Sequence, residues 1–165
     1  MRLPVLAFAC VALAGSAHAE SWTNFQDPNG VFSIAFPGNP AVSNAQTDVG
    51  NGAKVPMAVY NTTYGGTQFV VIDTNLSGYK VDAASAVESA AAGTRKAAAD
   101  IKVDSPLHAD GQNGRALTVI DKNGNRVLDH IFFVRGHLYQ VMATAPANSP
   151  EADGQHFVDS FRFAP

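Results

Sequence analysis

The sequence predicts an α+β fold: a single-domain α/β/α sandwich, a mostly antiparallel sheet with helices on both faces. Three observations carry this. Strand patterns follow one another between Asn113 and Ala145, separated by tight turns. Both faces of those strands carry large apolar side chains, whereas a sheet wet on one side alternates apolar with polar residues. Two helical patterns, one central and one near the end of the chain, supply the covers. Of the 165 residues, 46% are hydrophobic and 15% charged, which excludes a disordered tail or a collagen-like rod and fits one domain.

The elements follow in order. Trp22 to Gly30 is polar and reads as a turn region, with Asp27-Pro28-Asn29-Gly30 as the turn. Val31 to Phe36 is a short strand, broken by Pro37-Gly38-Asn39-Pro40. Ala41 to Thr47 is a weaker strand, and Val49 to Lys54 a Gly/Asn loop. Val55–Tyr64 and Thr67–Asn75 form a hairpin through Gly65-Gly66, because glycine accepts positive φ without a Cβ penalty. Asp82 to Ala99 is the best helix: Asp82 can cap it, and Ala84, Val87, Ala91 and Ala98 recur at helical spacing. This small-residue stripe suits close packing on a sheet and lacks the bulky anchors of a membrane-surface helix.

Asn123-Gly124 predicts a type I′ turn between Arg115–Lys122 and Asn125–Arg135, and in that register Asp121 faces Arg126. A second turn at Arg135-Gly136 leads into His137–Ala145. Leu128, His130, Phe132 and Val134 then share one face with Tyr139, Val141 and Ala143. Val127, Asp129, Ile131 and Phe133 share the other with Leu138, Gln140 and Met142. Ser149-Pro150-Glu151 starts a second helix, whose Phe157 and Phe161 would press on the sheet.

Gly30-Val31-Phe32-Ser33-Ile34-Ala35-Phe36-Pro37-Gly38-Asn39-Pro40 resembles the opening of many exported bacterial domains of unknown function. Arg135-Gly136-His137-Leu138-Tyr139-Gln140-Val141 resembles their late strand, and Phe157-Val158-Asp159-Ser160-Phe161-Arg162-Phe163 their closing segment. Together these are similar to the PsbP-like superfamily, whose members include an extrinsic subunit of photosystem II and a yeast nuclear-import factor that binds the Ran GTPase. The resemblance spans most of the chain after residue 19. It implies an α/β/α sandwich and an accessory or binding role; its motifs are structural and bring no catalytic residue.

The first residues predict export. Met1-Arg2, an apolar run from Leu3 to Ala14, and Ala17-His18-Ala19 make a signal peptide cut between Ala19 and Glu20. The run is too short to span a bilayer, which takes about 20 residues. The expected location is therefore the periplasm or the exterior, with no transmembrane anchor after cleavage and residues 20–165 as the domain. Cys10, the only cysteine, falls in the leader and is a poor lipidation site, so the remaining chain holds no disulfide, thiolate nucleophile or cysteine ligand. About 146 residues can bury about 68–70% of their unfolded surface without such staples. The net charge is −3, with no basic run or Arg/aromatic interleaving, which excludes a nucleic-acid platform.

No metal or cofactor is expected. His130 and His137 are separated by the hairpin, about 13 Å along the strand, and His130 reads as a neutral core histidine beside Leu117 and Val141. His108 and His156 have no evident partner. Asp121, Asn123, Asn125 and Asp129 have calcium-loop spacing, yet Arg126 and Phe132 stand where such a loop needs glycine and glutamate. The Asn61-Thr62-Thr63 and Asn75-Leu76-Ser77 sequons fall in or beside strands and matter only in a eukaryotic secretory route. No nucleophile elbow, phosphate loop or dinucleotide fingerprint occurs.

Arg115, Asp129 and Gln140 are the odd residues for a covered sheet, and the candidate binding residues. The plainer reading is a sheet end reaching water or a satisfied polar pair; the sharper one is a polar patch lining a groove between sheet and helix. The leading expectation is a non-enzymatic accessory or binding module with an unidentified protein or small molecule as partner. A small hydrolase assembled from distant Ser, His and Asp residues is one alternative. A carrier of a small apolar ligand is the other.

Overall fold

The computed structural model describes residues 21–48 and 53–164. The leader, with Cys10, Ala19 and Glu20, lies outside them, as do residues 49–52 of the Gly/Asn loop. The elements are β1 (Trp22–Gln26), β2 (Phe32–Pro37), β3 (Ala41–Asp48), β4 (Lys54–Tyr64), β5 (Thr67–Asn75), α1 (Ala83–Ala97), β6 (Ala98–Ala109), β7 (Gln112–Asp121), β8 (Asn125–Val134), β9 (His137–Pro146), α2 (Ala152–Asp159) and β10 (Arg162–Phe163). The fold is α+β, mostly antiparallel strand with two helices. Seven strands form a large sheet in the order β3-β4-β5-β9-β8-β7-β6, and three form a small sheet, β1-β2-β10.

Turn chemistry sets most of the register. Gly65 and Gly66 have φ of 57° and 82°, and Tyr64 pairs with Thr67 across them. Arg135 and Gly136 have φ of 52° and 84°, and Val134 pairs with His137. Both are two-residue loops with positive φ throughout, the type I′ signature. The turn between β7 and β8 differs from expectation. Gly124 alone has positive φ there, and its N–H bonds the Asp121 carbonyl at 3.1 Å. The Asp121 carboxylate accepts from the Asn123 and Asn125 N–H groups at 2.8 and 2.9 Å. This Asx-capped loop makes Ile120, not Asp121, the partner of Arg126.

A one-residue slip moves every side chain to the opposite face. Leu117 therefore pairs with Asp129, and His130 has Ala116 beside it instead of Leu117. Val141 is beside His130 as expected, and burial holds that imidazole below its ordinary pKa. Arg126 turns to Glu151 at 3.2 Å and to the Ser149 carbonyl.

Three strands fall where the sequence pattern gave none. β1 occupies part of the expected turn region. β6 follows α1 directly, so the helix ends at Ala97 and not Ala99. β10 lies in the closing segment. The buried stripe of α1 also differs: Ala86 and Ala91 are buried, Val87 and Ala90 pack beside them, and Ala84 is exposed. Asp82 caps the helix by accepting from the Ser85 N–H at 2.8 Å. The second helix begins at Ala152, later than expected, and Phe161 lies beyond its end.

Each face of the large sheet has its own core. One face buries Phe69, Val71, Phe132, Tyr139 and Val141 against Phe32, Ile34 and Phe36 of β2 and Phe157 and Val158 of α2. That cover is thus α2 together with the small sheet, where the sequence reading had a helix alone. The opening and closing motifs meet here: Phe163 pairs with Phe32, Phe161 stacks on Phe32 at 5.2 Å, and Phe36 meets Phe157 at 5.0 Å. Ser160 Oγ accepts from the Ala35 N–H at 3.0 Å and donates to the Phe157 carbonyl at 2.8 Å.

The opposite face holds a smaller core, in which Ala91 of α1 packs with Leu117, Val119 and Ile131. The helix rests on β6, β7 and β8. On the same face, Met57, Val59, Val70, Ile72 and Met142 of β4, β5 and β9 stay only half-buried. This side of the sheet is covered over part of its width.

Candidate functional site

The width that α1 leaves uncovered becomes a groove of about 820 Å³ between the helix and β3, β4, β5 and β9. Its apolar floor and walls include Met57, Ile72, Leu76, Leu138 and the half-exposed Tyr79. Thr74, Ser89 and Gln140 add polar atoms, and Asp48 and Lys80 lie among its lining residues. Gly93 opens it further. A Cβ at that position would meet nothing within 4 Å, so packing does not demand glycine there. Alanine would be favoured in a helix interior by about 1 kcal/mol.

Two of the three sequence-predicted residues come together beneath this groove. Asp129 is fully buried on β8, under α1. Its Oδ2 accepts from Thr94 Oγ1 at 2.7 Å and from Gln140 Nε2 at 3.2 Å. Its Oδ1 has no hydrogen-bond partner. Burial raises the carboxyl pKa to about 6, and the Thr94 and Gln140 hydrogen bonds oppose that rise. Because the carboxylate accepts the Gln140 amide N–H, the Gln140 carbonyl oxygen is the end left for the groove.

Arg115 is not with them. It lies on the other flank of α1, where its Nε bonds Asp104 Oδ1 at 2.5 Å. Asp104 also accepts from Arg95 Nε at 2.7 Å, and Arg95 reaches Glu88 at 2.5 Å. The two guanidinium groups hold the Asp104 carboxyl down at about 2. Arg115, Asp82 and Glu88 line a separate groove of about 540 Å³. The helix therefore divides the expected trio: an apolar groove backed by Asp129 and Gln140 on one side, an ion network on the other.

Among the described residues, His108, His137 and His156 lie apart, each with its own neighbour. His108 Nδ1 lies 3.0 Å from Asn113 Oδ1, and the His156 ring packs edge-on against Trp22 at 4.6 Å. His137 Nδ1 lies 2.6 Å from Asp73 Oδ1. Burial raises the Asp73 pKa, and the His137 contact opposes it. Among the described residues no group of three His, Cys, Asp or Glu side chains could hold a metal ion.

Sequence reasoning missed Ile72, Thr74, Tyr79 and Leu138 as groove residues. They are ordinary strand and loop residues, and only the sideways placement of α1 makes them a site. Gly93 was the one available signal, a helix breaker without a packing cause.

No family model matches the chain, and no curated protein matches it. It is similar to the solution structure of cyanobacterial PsbP (CyanoP) from Synechocystis sp. PCC 6803. The TM-score is 0.55 at 14% sequence identity, over 93% of this chain and 99% of that one. That likeness shows a PsbP-like fold.

Proposed function

We propose, from a PsbP-like fold whose α1 face is part open, that this is an exported accessory protein that works by binding. Residues 20–165 form the working domain, an α/β/α sandwich in the periplasm, released when the leader is cut after Ala19. The groove between α1 and the sheet is the binding surface, and Gln140, held by Asp129, is its oriented acceptor. The observation that carries this reading is the groove itself: about 820 Å³ of mostly apolar lining with polar groups converging on it. His108 Nδ1 lies against Asn113 Oδ1 and the His156 ring packs on Trp22, so neither histidine supports the dispersed hydrolase site that the sequence leaves open. Arg115 belongs to the scaffold in this reading, because its charge is matched by Asp104.

A second reading has specific support. The groove exceeds the roughly 300 Å³ of a small-ligand pocket, so a carrier of a small apolar molecule with one hydrogen-bond donor fits it.

One preparation tests both readings. The chain is purified from the periplasm with a photo-crosslinking residue at Tyr79, alone and with Gly93→Trp filling the groove. An adduct at Tyr79 that disappears in Gly93→Trp supports a protein partner. A co-purifying small molecule seen by native mass spectrometry, and lost in Gly93→Trp, supports the carrier. Neither signal in the parent chain, or signals indifferent to Gly93→Trp, overturns the groove as the site. The same sample should begin at Glu20 on N-terminal sequencing; retention of the leader overturns the export reading.

A further inference from the structure

The large sheet has two outer edges, β3 and β6, and they are built differently. Among the described residues no strand pairs with the far side of either. Strand edges offer unpaired N–H and C=O groups, and proteins that stay monomeric blunt them with bulges, lysine and proline. β6 carries all three: register breaks between Ala98 and Asp100 and between Ile101 and Val103, Lys102, and Pro106. β3 carries none of them. It pairs with β4 at eight consecutive positions without a break, and its sequence, Ala-Val-Ser-Asn-Ala-Gln-Thr-Asp, has no lysine, arginine or proline. Seven of those eight residues are exposed, Val42 at 51%.

We propose that the β3 edge pairs with β3 of a second copy of this chain, making one continuous sheet across a two-fold axis. Geometry and charge both favour a second copy. Two identical edges can run antiparallel only about an axis perpendicular to the sheet, which keeps the same face uppermost in both copies. Directly opposed residues must then point to the same face. Ala41, Ser43, Ala45 and Thr47 point to the α1 face, and Val42, Asn44 and Gln46 to the other. Residue positions therefore pair only if an odd-numbered one meets odd and an even-numbered one meets even.

Centring the axis on Asn44 satisfies this rule. Val42 meets the stem of the other copy's Gln46, and Ser43 meets Ala45. Asp48, the only charged residue of the strand, falls beyond Ala41 and opposes no like charge. Centring on Ala45 would set Asp48 against Val42, so the Asn44 register is preferred.

The pairing has a functional consequence that does not depend on what the groove holds. Both α1 helices end up on one face, flanking a shared floor made of β3, β4 and β5 from each copy. Thr47, a groove residue on β3, then lies next to the junction.

The test uses the chain carrying Cys10→Ser, so that no other thiol competes whether or not the leader has been removed. Light scattering after size exclusion should report a dimer whose fraction rises with concentration. Asn44→Lys sets two like charges face to face on the axis and should give monomer with an unchanged circular dichroism spectrum, because position 44 is exposed. Asn44→Cys should form an intermolecular disulfide under mild oxidation. Opposed antiparallel residues lie about 4.5–5.5 Å apart between Cα atoms, within disulfide reach. A monomer at every concentration overturns the proposal. So does a dimer that survives Asn44→Lys, or one lost in Asn44→Lys while Asn44→Cys stays reduced, since either excludes the Asn44-centred pair.

Discussion

Asp129 is costly to bury. It is fully buried, one oxygen lacks a partner, and its carboxyl titrates near 6 instead of near 3.8. A raised folded-state pKa means the protonated form suits the fold better. Stability is therefore fully present below about pH 4 and is lost as pH rises through about 6. The shift corresponds to about 3 kcal/mol at most. Denaturant titrations between about pH 4 and pH 7 should show this loss, and Asp129→Asn should lessen it, leaving what the raised Asp73 carboxyl adds, while raising stability at neutral pH by about 1 kcal/mol or more. A parent protein whose stability is flat over that range would show that the carboxylate is solvated. The meeting of Asp129 with Gln140 was legible in the sequence, because Arg135-Gly136 fixes the β8–β9 register with one turn type. The setting of Arg115 was not, because neither Asp104 nor Arg95 stands near it in the chain and the side on which α1 passes leaves no mark on strand alternation.

At the scale of elements, α1 is fastened unevenly. Its Arg95 joins Asp104 and Glu88 on the β6 side, while Gly93 faces open space on the groove side. Gly93→Ala should raise thermal stability, by up to about 1 kcal/mol, since the new methyl meets no neighbour and the helix loses its most flexible residue. A fall in melting temperature would mean that the helix bends at this position. The cap at Asp82 and the hairpins at Gly65-Gly66 and Arg135-Gly136 were readable because each depends on residues adjacent in sequence. β6 was not: Asp100, Lys102 and Asp104 alternate with Ile101, Val103 and Leu107, but Pro106 and two register breaks fall within the strand, features that also make it a poor template for another strand. The Asn123-Gly124 turn misled for a related reason. The dipeptide favours type I′, but the Asp121 side chain collects the N–H groups of Asn123 and Asn125 and imposes a different loop.

Across the whole molecule, the two ends of the described chain meet. β2 lies between β1 and β10, and the aromatic residues of the opening and closing motifs interleave above the large sheet. Ser160 ties them, linking the Ala35 N–H to the Phe157 carbonyl. Ser160→Ala should cost about 1 to 2 kcal/mol by leaving that N–H unpaired, measured as a lower denaturant midpoint with an unchanged slope. The α+β class was legible because two-sided apolar strands demand two covers; that one cover joins a small second sheet to α2 was not, since Arg162 and Phe163 are too few to show a period. This closure also orders events in time. Phe157, Phe161 and Phe163 follow every strand of the large sheet in the chain, so the contacts of Phe161 with Phe32 and of Phe157 with Phe36 are among the last that the chain can make. A nascent polypeptide therefore completes this aromatic core only once its last three phenylalanines have been made.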